Sequence, residues 1–277
     1  MFTVQWFRFG GSVAHTLMRR YKPLSSKNIL CGVKVNKRWG INIDIEGFSN
    51  LYESGEESQT RAILGLRELM NAIIQIGQQA FPGDPALNVG DRLFAHQFGD
   101  GFIIVSEYEE TDASRAIAIA TALMRHMLVK GYATKSAISV GSMTDISGCY
   151  PEAMREAENN ALPLGSGLLT SIPVMGTALT KAHKLSSKAS GGILVVDRSA
   201  FDTIPKELIE NEDNNLIFIN WMLDRNEMAK GIAASAGLEF SSNSDLEASF
   251  QCYIKQPPQP PSHWVEGSRK SIVLSGL

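Results

Sequence analysis

The stretch INIDIEGFSNL (41–51) gives the clearest indication of the fold in this sequence. Its first six residues alternate isoleucine with a polar residue, which is the period of a half-buried strand, so Asp44 points away from the core. A second stretch, HQFGDGFIIV (96–105), has the pattern of two short strands joined by a tight, glycine-rich turn. The sequence therefore predicts a hairpin with Asp100 at or beside its tip.

The segments around these two stretches predict a βαββαβ order. Apolar residues at helical spacing predict a long amphipathic helix over 56–80, ended by a Pro-Gly-Asp-Pro sequence. A second helix begins after Thr111 and Asp112 and is closed by Gly131. The predicted strands are 40–46, 92–98, 101–106 and 135–142. This order is typical of a ferredoxin-like α+β fold, an antiparallel sheet with helices on one face and the other face free to bind.

The remaining chain predicts added strands and a tail. The runs GILVVD (192–197) and LIFINWML (216–223) read as C-terminal strands, preceded by a helix-like segment at 176–189. Residues 225–277 are weakly patterned and include the Pro-rich run QPPQPP (256–261), which favours an extended tail. We divide the chain into a basic arm (1–39), a catalytic domain (40–224) and a C-terminal extension with a Pro-rich tail (225–277).

Asp44 and Asp100 lie on neighbouring strand ends in this arrangement, so we expect their carboxylates to converge. A carboxylate pair of this kind can hold two Mg²⁺ or Mn²⁺ ions roughly 3.5–4 Å apart. Such a pair of ions stabilises the attacking and leaving oxygens of a phosphoryl displacement. An isolated aspartate at a strand end more often caps a backbone amide or forms a salt bridge. It is the presence of two such aspartates, Asp44 and Asp100, that favours a metal site.

Composition limits the class of protein. The chain has 277 residues, 44% of them hydrophobic and 20% charged, enough apolar material for one large domain with a tail. No apolar run approaches the roughly 20 residues of a membrane span, and no secretory signal is evident. Three cysteines without metal-ligand spacing suit a reducing compartment. We expect a cytoplasmic protein without a membrane span, and no nucleic-acid partner.

The charge is uneven along the chain. Residues 1–40 hold eight Lys or Arg and no acid, which leaves 18 of the 26 basic residues against all 29 acidic residues in the rest. The arm can pack on the acidic body of its own chain or of a dimer partner, which we favour. Contact with nucleotide phosphates, nucleic acid or an anionic membrane is the alternative.

Three blocks in order resemble the class III nucleotidyl cyclases over roughly residues 38–224. INIDIEGFSNL resembles the metal-binding strand and phosphate loop of that family, and HQFGDGFIIV its Gly-Asp hairpin. GTALTKAHKLSSKASGGILVV (176–196) resembles its transition-state helix and following strand. The segment AISVGSMTDISG (137–148) is also similar to the family's glycine-containing strand and dimerisation arm.

The resemblance implies roles for particular residues. Asp44, Asp100 and the Ile45 carbonyl would hold two divalent cations, which prefer such oxygen ligands. The backbone amides of Gly47, Phe48 and Ser49 would bind the β and γ phosphates. The ribose 3′ hydroxyl would then attack the α phosphorus and release pyrophosphate, giving a 3′,5′-cyclic nucleotide. From the residues alone, Phe48 is either a lid on the core or a surface against the base. Glu46, on the same face as Asp44, could substitute as a metal ligand or be solvated, and we expect it to be solvated.

The base-reading residues depart from the purine cyclase pattern. His96 stands where adenylate cyclases commonly have Lys and guanylate cyclases Glu, and Pro173 occupies the second base-reading position. Thr180 and Lys184 replace the expected Asn and Arg of the transition-state helix, so the charge is kept but the bidentate fork is lost. This pattern resembles the bacterial pyrimidine cyclases of Pycsar anti-phage defence. It implies a uridylate cyclase, with cytidylate or purine cyclases as alternatives.

The resemblance also implies partners. Class III sites form between two protomers, so a homodimer would combine the aspartates of one chain with Thr180 and Lys184 of the other. A separate effector would respond to the cyclic nucleotide. Diguanylate cyclases and polymerase palm domains share the split unit but rank lower, because the hairpin reads FGDGF rather than two adjacent acids. An inactive cyclase-like nucleotide sensor or dimerisation module is the alternative outside the enzymes.

Overall fold

The computed structural model describes residues 37–80, 93–106, 110–171 and 174–272. Within them the chain forms two compact units. We call 37–143 with 176–272 the sheet unit, and 144–175 the hairpin unit. Residues 1–36 of the basic arm and Pro173 lie outside the described residues, so the expectations for them stay predictions; the last residues of the arm, Arg38 and Trp39, already belong to the first strand of the sheet.

The elements are numbered in chain order. The strands are β1 (Arg38–Ile45), β2 (Leu93–Phe98), β3 (Gly101–Ser106), β4 (Thr134–Gly141), β5 (Thr144–Asp145), β6 (Ala161–Leu164), β7 (Gly167–Thr170), β8 (Val174–Met175), β9 (Leu194–Asp197), β10 (Ile209–Asp213) and β11 (Leu216–Ile219). The helices are α1 (Phe48–Glu53), α2 (Glu56–Gln75), α3 (Ser114–Val129), α4 (Glu152–Arg155), α5 (Thr177–Ser186), α6 (Glu227–Ala236), α7 (Asn243–Lys255) and α8 (Ser262–Ser268). A π-helical turn, Ile76–Ala80, continues α2.

The sheet unit is built on a seven-stranded sheet of order β10-β11-β9-β4-β1-β3-β2. All neighbouring strands are antiparallel except β4 and β9, which are parallel. The core order is β1-α2-β2-β3-α3-β4, so the predicted α+β class and its βαββαβ order are confirmed. The added strands β9 and β11 are confirmed as well. The sequence reading missed β10, which is mostly exposed and polar.

One face of the sheet carries the main core. Ile41, Ile43 and Ile45 of β1 are buried against α2, α3, α6 and α7, as their alternation with polar residues predicts. The helix α3 is buried along most of its length, and it packs between the sheet and the outer helices α6 and α7. Burying this apolar surface is the main favourable term in the folding of the unit.

The opposite face is partly covered by α5, the exception to the predicted placement of the helices on one face. Ala178 and Leu179 of α5 cluster with Ile103 and Val105 of β3. This close approach needs glycine on the strands, because a Cβ at Gly141 would lie 2.2 Å from the Ala178 backbone nitrogen. Among the described residues, α5 therefore covers part of the face that was predicted to be free, and it leaves the end of β1 that carries Asp44 uncovered.

The described C-terminal region contains the helices α6, α7 and α8, so the prediction of a weakly patterned, extended tail is wrong where these helices form, whereas the Pro-rich run 256–261 itself is not helical. The side chain of Asn226 caps α6 by accepting a hydrogen bond from the Ala229 amide. The side chain of Ser242 caps α7 by accepting one from the Asp245 amide. Leu246 and Phe250 of α7 are buried in the main core. Their wide spacing among polar residues hid the apolar stripe from the sequence reading. The C-terminal helices thus belong to the same unit as the sheet.

The hairpin unit contains the β5–β8 and β6–β7 pairs and the short helix α4. Leu164, Leu168 and Leu169 of the β6–β7 hairpin are exposed.

None of the helices in the described ranges combines the length and apolar character that a bilayer crossing requires.

Candidate active site

Asp44 lies near the end of β1 on the sheet face that α5 leaves open. It lies directly opposite Gly101 of β3 and Lys135 of β4. Directly opposite residues of paired strands share a face of the sheet, so all three positions lie on one face. A Cβ at Gly101 would lie only 2.9 Å from the Asp44 Cβ. Glycine at position 101 therefore leaves the space into which the Asp44 side chain projects.

Asp100 lies in a two-residue turn. Phe98 and Gly101 pair across the hairpin, so Gly99 and Asp100 are the turn residues. Gly99 has φ of +59°, the conformation that a type II′ turn requires at its first position. The predicted hairpin and the position of Asp100 at its tip are confirmed.

The Asp44 carboxylate is buried with little compensation. Burial raises the pKa of Asp44 to about 7; Lys135 opposes this shift, while the negative charges of Glu46 and Asp100 add to it. Its Oδ1 atom is buried and has no hydrogen-bond partner within the described residues. A buried carboxylate oxygen of this kind is expected to have a cation or a donor beside it.

The residues present fit a hard divalent cation. Asp44, Asp100 and the Ile45 carbonyl supply only oxygen donors, the type that Mg²⁺ and Mn²⁺ prefer. No group of three or more His, Cys, Asp or Glu side chains arranged for a metal ion occurs in the described ranges. The protein would therefore supply part of the coordination, and water or phosphate oxygens would supply the rest.

The loop after β1 has the backbone expected of an anion site. Gly47 adopts a left-handed conformation with φ of 71° at the start of α1, and no side chain caps the helix there. The first amides of a helix lack internal partners, so those after Gly47 are available to a ligand. Gly47 and Ser49 are exposed. Phe48 packs against the main core and stacks on Tyr52 with ring centroids 5.8 Å apart, which favours the core-lid interpretation of its role.

His96 lies on β2 in register with Ile103 and on the same sheet face as Asp44. Burial lowers the pKa of His96, which favours the neutral ring. Its Nε2 atom is buried without a hydrogen-bond partner in the described chain. A neutral imidazole offers one donor and one acceptor, as a pyrimidine edge does.

Thr180 and Lys184 are exposed on α5, on the side turned away from the sheet. The Thr180 hydroxyl donates to the Thr177 carbonyl of the same helix at 3.5 Å. Among the contacts of the described residues, neither side chain reaches Asp44 or Asp100. In a single chain, therefore, Asp44 and Asp100 are close enough to interact electrostatically, His96 shares the sheet face of Asp44 and the loop directly follows β1. Within the described residues, by contrast, Thr180 and Lys184 contact neither aspartate.

Glu46 is not solvated, and the expectation that it would be is wrong. Its carboxylate pairs with Lys135 at 2.7 Å and accepts a hydrogen bond from the Trp264 indole. The Tyr253 hydroxyl donates to the Glu46 carbonyl at 3.2 Å. Burial, together with the charge of Glu46, raises the pKa of Tyr253 to about 12, so that hydroxyl keeps its proton.

The sequence reading missed Lys135, Tyr253 and Trp264 as neighbours of the site. Lys135 could have been found, because the strand register that places Asp44 opposite β4 also places a polar residue of that strand beside it. Burial acts to lower the pKa of Lys135, but Asp44, Glu46 and Asp100 outweigh burial and raise it. Tyr253 and Trp264 are more than 200 residues from Asp44 and gave no local signal.

Comparison with known proteins finds a structural likeness but no sequence match to a family model or a curated protein. The solved structures include a class III adenylyl cyclase-like ATP-binding protein from Pseudomonas aeruginosa, similar with a TM-score of 0.39 and 14% sequence identity. The similarity covers 80% of this chain but 44% of that protein, so this chain spans less than half of it.

Proposed function

We propose that the chain is a metal-dependent nucleotidyl cyclase that converts UTP into 3′,5′-cyclic UMP and pyrophosphate. The observation that carries the proposal is the Asp44–Asp100 pair with the buried, unpartnered Asp44 Oδ1 atom. The three sequence blocks that resemble class III cyclases add support, because each lies on the element that the resemblance implies.

Asp44, Asp100 and the Ile45 carbonyl would hold two divalent cations. When bound, these ions would lower the pKa of the ribose 3′ hydroxyl and neutralise the pyrophosphate leaving group. The amides of Gly47, Phe48 and Ser49 would donate to the β and γ phosphates. This loop would fix the triphosphate so that the 3′ oxygen faces the α phosphorus.

His96 would select the base from its position on β2. Its neutral ring can donate one hydrogen bond and accept another, which fits either pyrimidine. We favour uracil, with cytosine second and purines third.

The full site would require a homodimer. Thr180 and Lys184 are exposed on α5 and would reach the triphosphate of a second copy, where the Lys184 ammonium would stabilise the transition-state charge. The cyclic nucleotide would act in the cytoplasm as a second messenger of anti-phage defence, read by a separate effector.

An inactive nucleotide sensor is the second candidate. The nearness of Lys135 to Asp44 favours it, because an ammonium group can take the place of a metal ion beside a carboxylate. Turnover distinguishes the two functions.

The test is incubation of the purified protein with ATP, GTP, CTP and UTP separately in Mn²⁺ buffer, with products identified by mass. We expect cyclic UMP from the unmodified protein and from Asp202→Asn, a change at a remote exposed carboxylate, and none from Asp44→Asn. Nucleotide binding without any cyclic product would support the sensor instead.

A further inference from the structure

Lys135 lies between two acidic side chains on one sheet face. It is directly opposite Asp44 across the β1–β4 pair, and Glu46 is its diagonal neighbour two residues further along β1. Directly opposite Cβ atoms are about 5 Å apart and diagonal ones about 7–8 Å. The ion pair nevertheless forms with the diagonal neighbour, Glu46, at 2.7 Å. Within the described residues Lys135 makes no ion pair with Asp44.

Glu46 holds this position because the C-terminal helices fix it. One carboxylate oxygen takes the Lys135 ammonium, and the other accepts from the Trp264 indole of α8. Trp264 is itself buried, and its ring stacks on Phe250 with centroids 6.0 Å apart. The Tyr253 hydroxyl binds the backbone of the same residue, Glu46. The C-terminal region thus fixes both the side chain and the backbone of Glu46.

We propose that Trp264, acting through Glu46, keeps the Lys135 ammonium in its ion pair with Glu46 instead of with the neighbouring Asp44, and so leaves the Asp44 carboxylate open for a divalent cation. The inference rests on the proposed metal-binding role of Asp44. It makes Trp264, Glu46 and Lys135 positioning residues, and it gives the C-terminal helices a part in the metal site.

The physical reason is competition between two cations for one carboxylate. An ammonium tethered on the opposing strand is always present at high local concentration, so a freed Lys135 would pair with Asp44. A metal ion would then have to displace it and would lose affinity. The buried Oδ1 atom of Asp44, which has no partner in the described chain, is the atom that this arrangement leaves available.

The experiment is a double-mutant cycle that measures Mn²⁺ affinity from the free Mn²⁺ signal in electron paramagnetic resonance. Trp264→Phe removes the indole donor without changing any charge, and it is made in the unmodified chain and in Lys135→Met. Phe250→Leu is the matched control, since it perturbs the same aromatic cluster without touching Glu46.

We expect Trp264→Phe to weaken Mn²⁺ binding about five- to tenfold in the unmodified chain and less than about twofold in the Lys135→Met background. Phe250→Leu should leave the affinity unchanged. An equal loss in both backgrounds, or no loss in either, would overturn the inference. If Trp264→Phe does not fold, Glu46→Gln is made in the same two backgrounds; because it also removes a negative charge, it should weaken Mn²⁺ binding in both, and a larger loss in the unmodified chain than in Lys135→Met supports the inference whereas equal losses overturn it.

The metal site and the positioning role of Trp264 can be tested separately. If the unmodified protein binds no Mn²⁺, the metal site is wrong and the inference falls with it. If the unmodified protein binds Mn²⁺ and Asp44→Asn does not, but the cycle shows no coupling, only the positioning role is wrong.

Discussion

Asp44 combines burial with a missing partner. Asp44 Oδ1 is buried and unpartnered in the described chain, and burial raises the pKa of the carboxyl to about 7. Without metal, ionising this group costs more free energy in the folded protein than in the unfolded chain, where the carboxylate is hydrated. The ionised residue is therefore unfavourable for stability, and the cation that we propose beside it would offset this cost.

The pH dependence of stability tests this cost. Because the pKa of Asp44 rises from 3.8 to about 7 on folding, its contribution is fully present below pH 3.8 and is lost as pH rises through 7. In EDTA, Asp44→Asn should raise the free energy of unfolding, by a gain that grows by on the order of 3–4 kcal/mol between pH 4 and pH 8. Urea unfolding at both pH values measures it. A gain that does not change with pH would contradict the assignment.

His96 should decide the base. His96→Lys replaces a neutral donor and acceptor with a donor only, so we expect loss of cyclic UMP formation relative to purine products. Gln97→Lys is the control, since the next residue on β2 is exposed and points to the other face. Product ratios from an equimolar mixture of the four triphosphates give the answer, and unchanged ratios in His96→Lys would remove this role.

The strands around the site were the most predictable elements. Alternating isoleucines fixed the face of β1, and the turn residues fixed the β2–β3 hairpin, because both signals are local. The position of α5 was not predictable in the same way. Its apolar residues mark an amphipathic helix, but only the small residues Gly40, Gly141 and Ala178, distant in sequence, show which face it covers.

The packing of α5 gives a prediction for the element. Gly141→Ala should cost about 2 kcal/mol or more of unfolding free energy, because its Cβ would lie 2.2 Å from the Ala178 nitrogen. Gly231→Ala in α6 is the control: nothing lies within 4 Å of its added Cβ, and alanine favours the helix. Thermal and urea unfolding compare the two. Equal stabilities of the two variants would mean that α5 is not packed closely on β4.

In the whole molecule, the features that the sequence did not predict depend on contacts between residues far apart in the chain. The partners of Glu46 come from β4, α7 and α8, and the hydrophobic stripe of α7 is short. A Pro-rich composition predicted an extended tail, yet tertiary packing made the flanking segments helical. The candidate carboxylate pair was predictable because it depends on strand order alone.

The shared-site dimer gives a complementation prediction. Asp44→Asn and Lys184→Ala should each be inactive or nearly so, but their mixture should recover about a quarter of the unmodified activity. A heterodimer places both lesions in one site and leaves the other intact, and half of a random mixture is heterodimer. Cyclic UMP formation after co-refolding or subunit exchange measures it. No recovery from a mixture proved to contain heterodimers would contradict a site shared between protomers.

The most direct measurement is ³¹P nuclear magnetic resonance of UTP incubated with the protein and Mn²⁺, quenched with excess chelator before the spectra are recorded. We expect one pyrophosphate for each cyclic UMP, no product with Asp100→Asn, and none when chelator is present from the start. Release of inorganic phosphate with UDP, or product formation that survives Asp100→Asn, would contradict the proposed two-carboxylate cyclase.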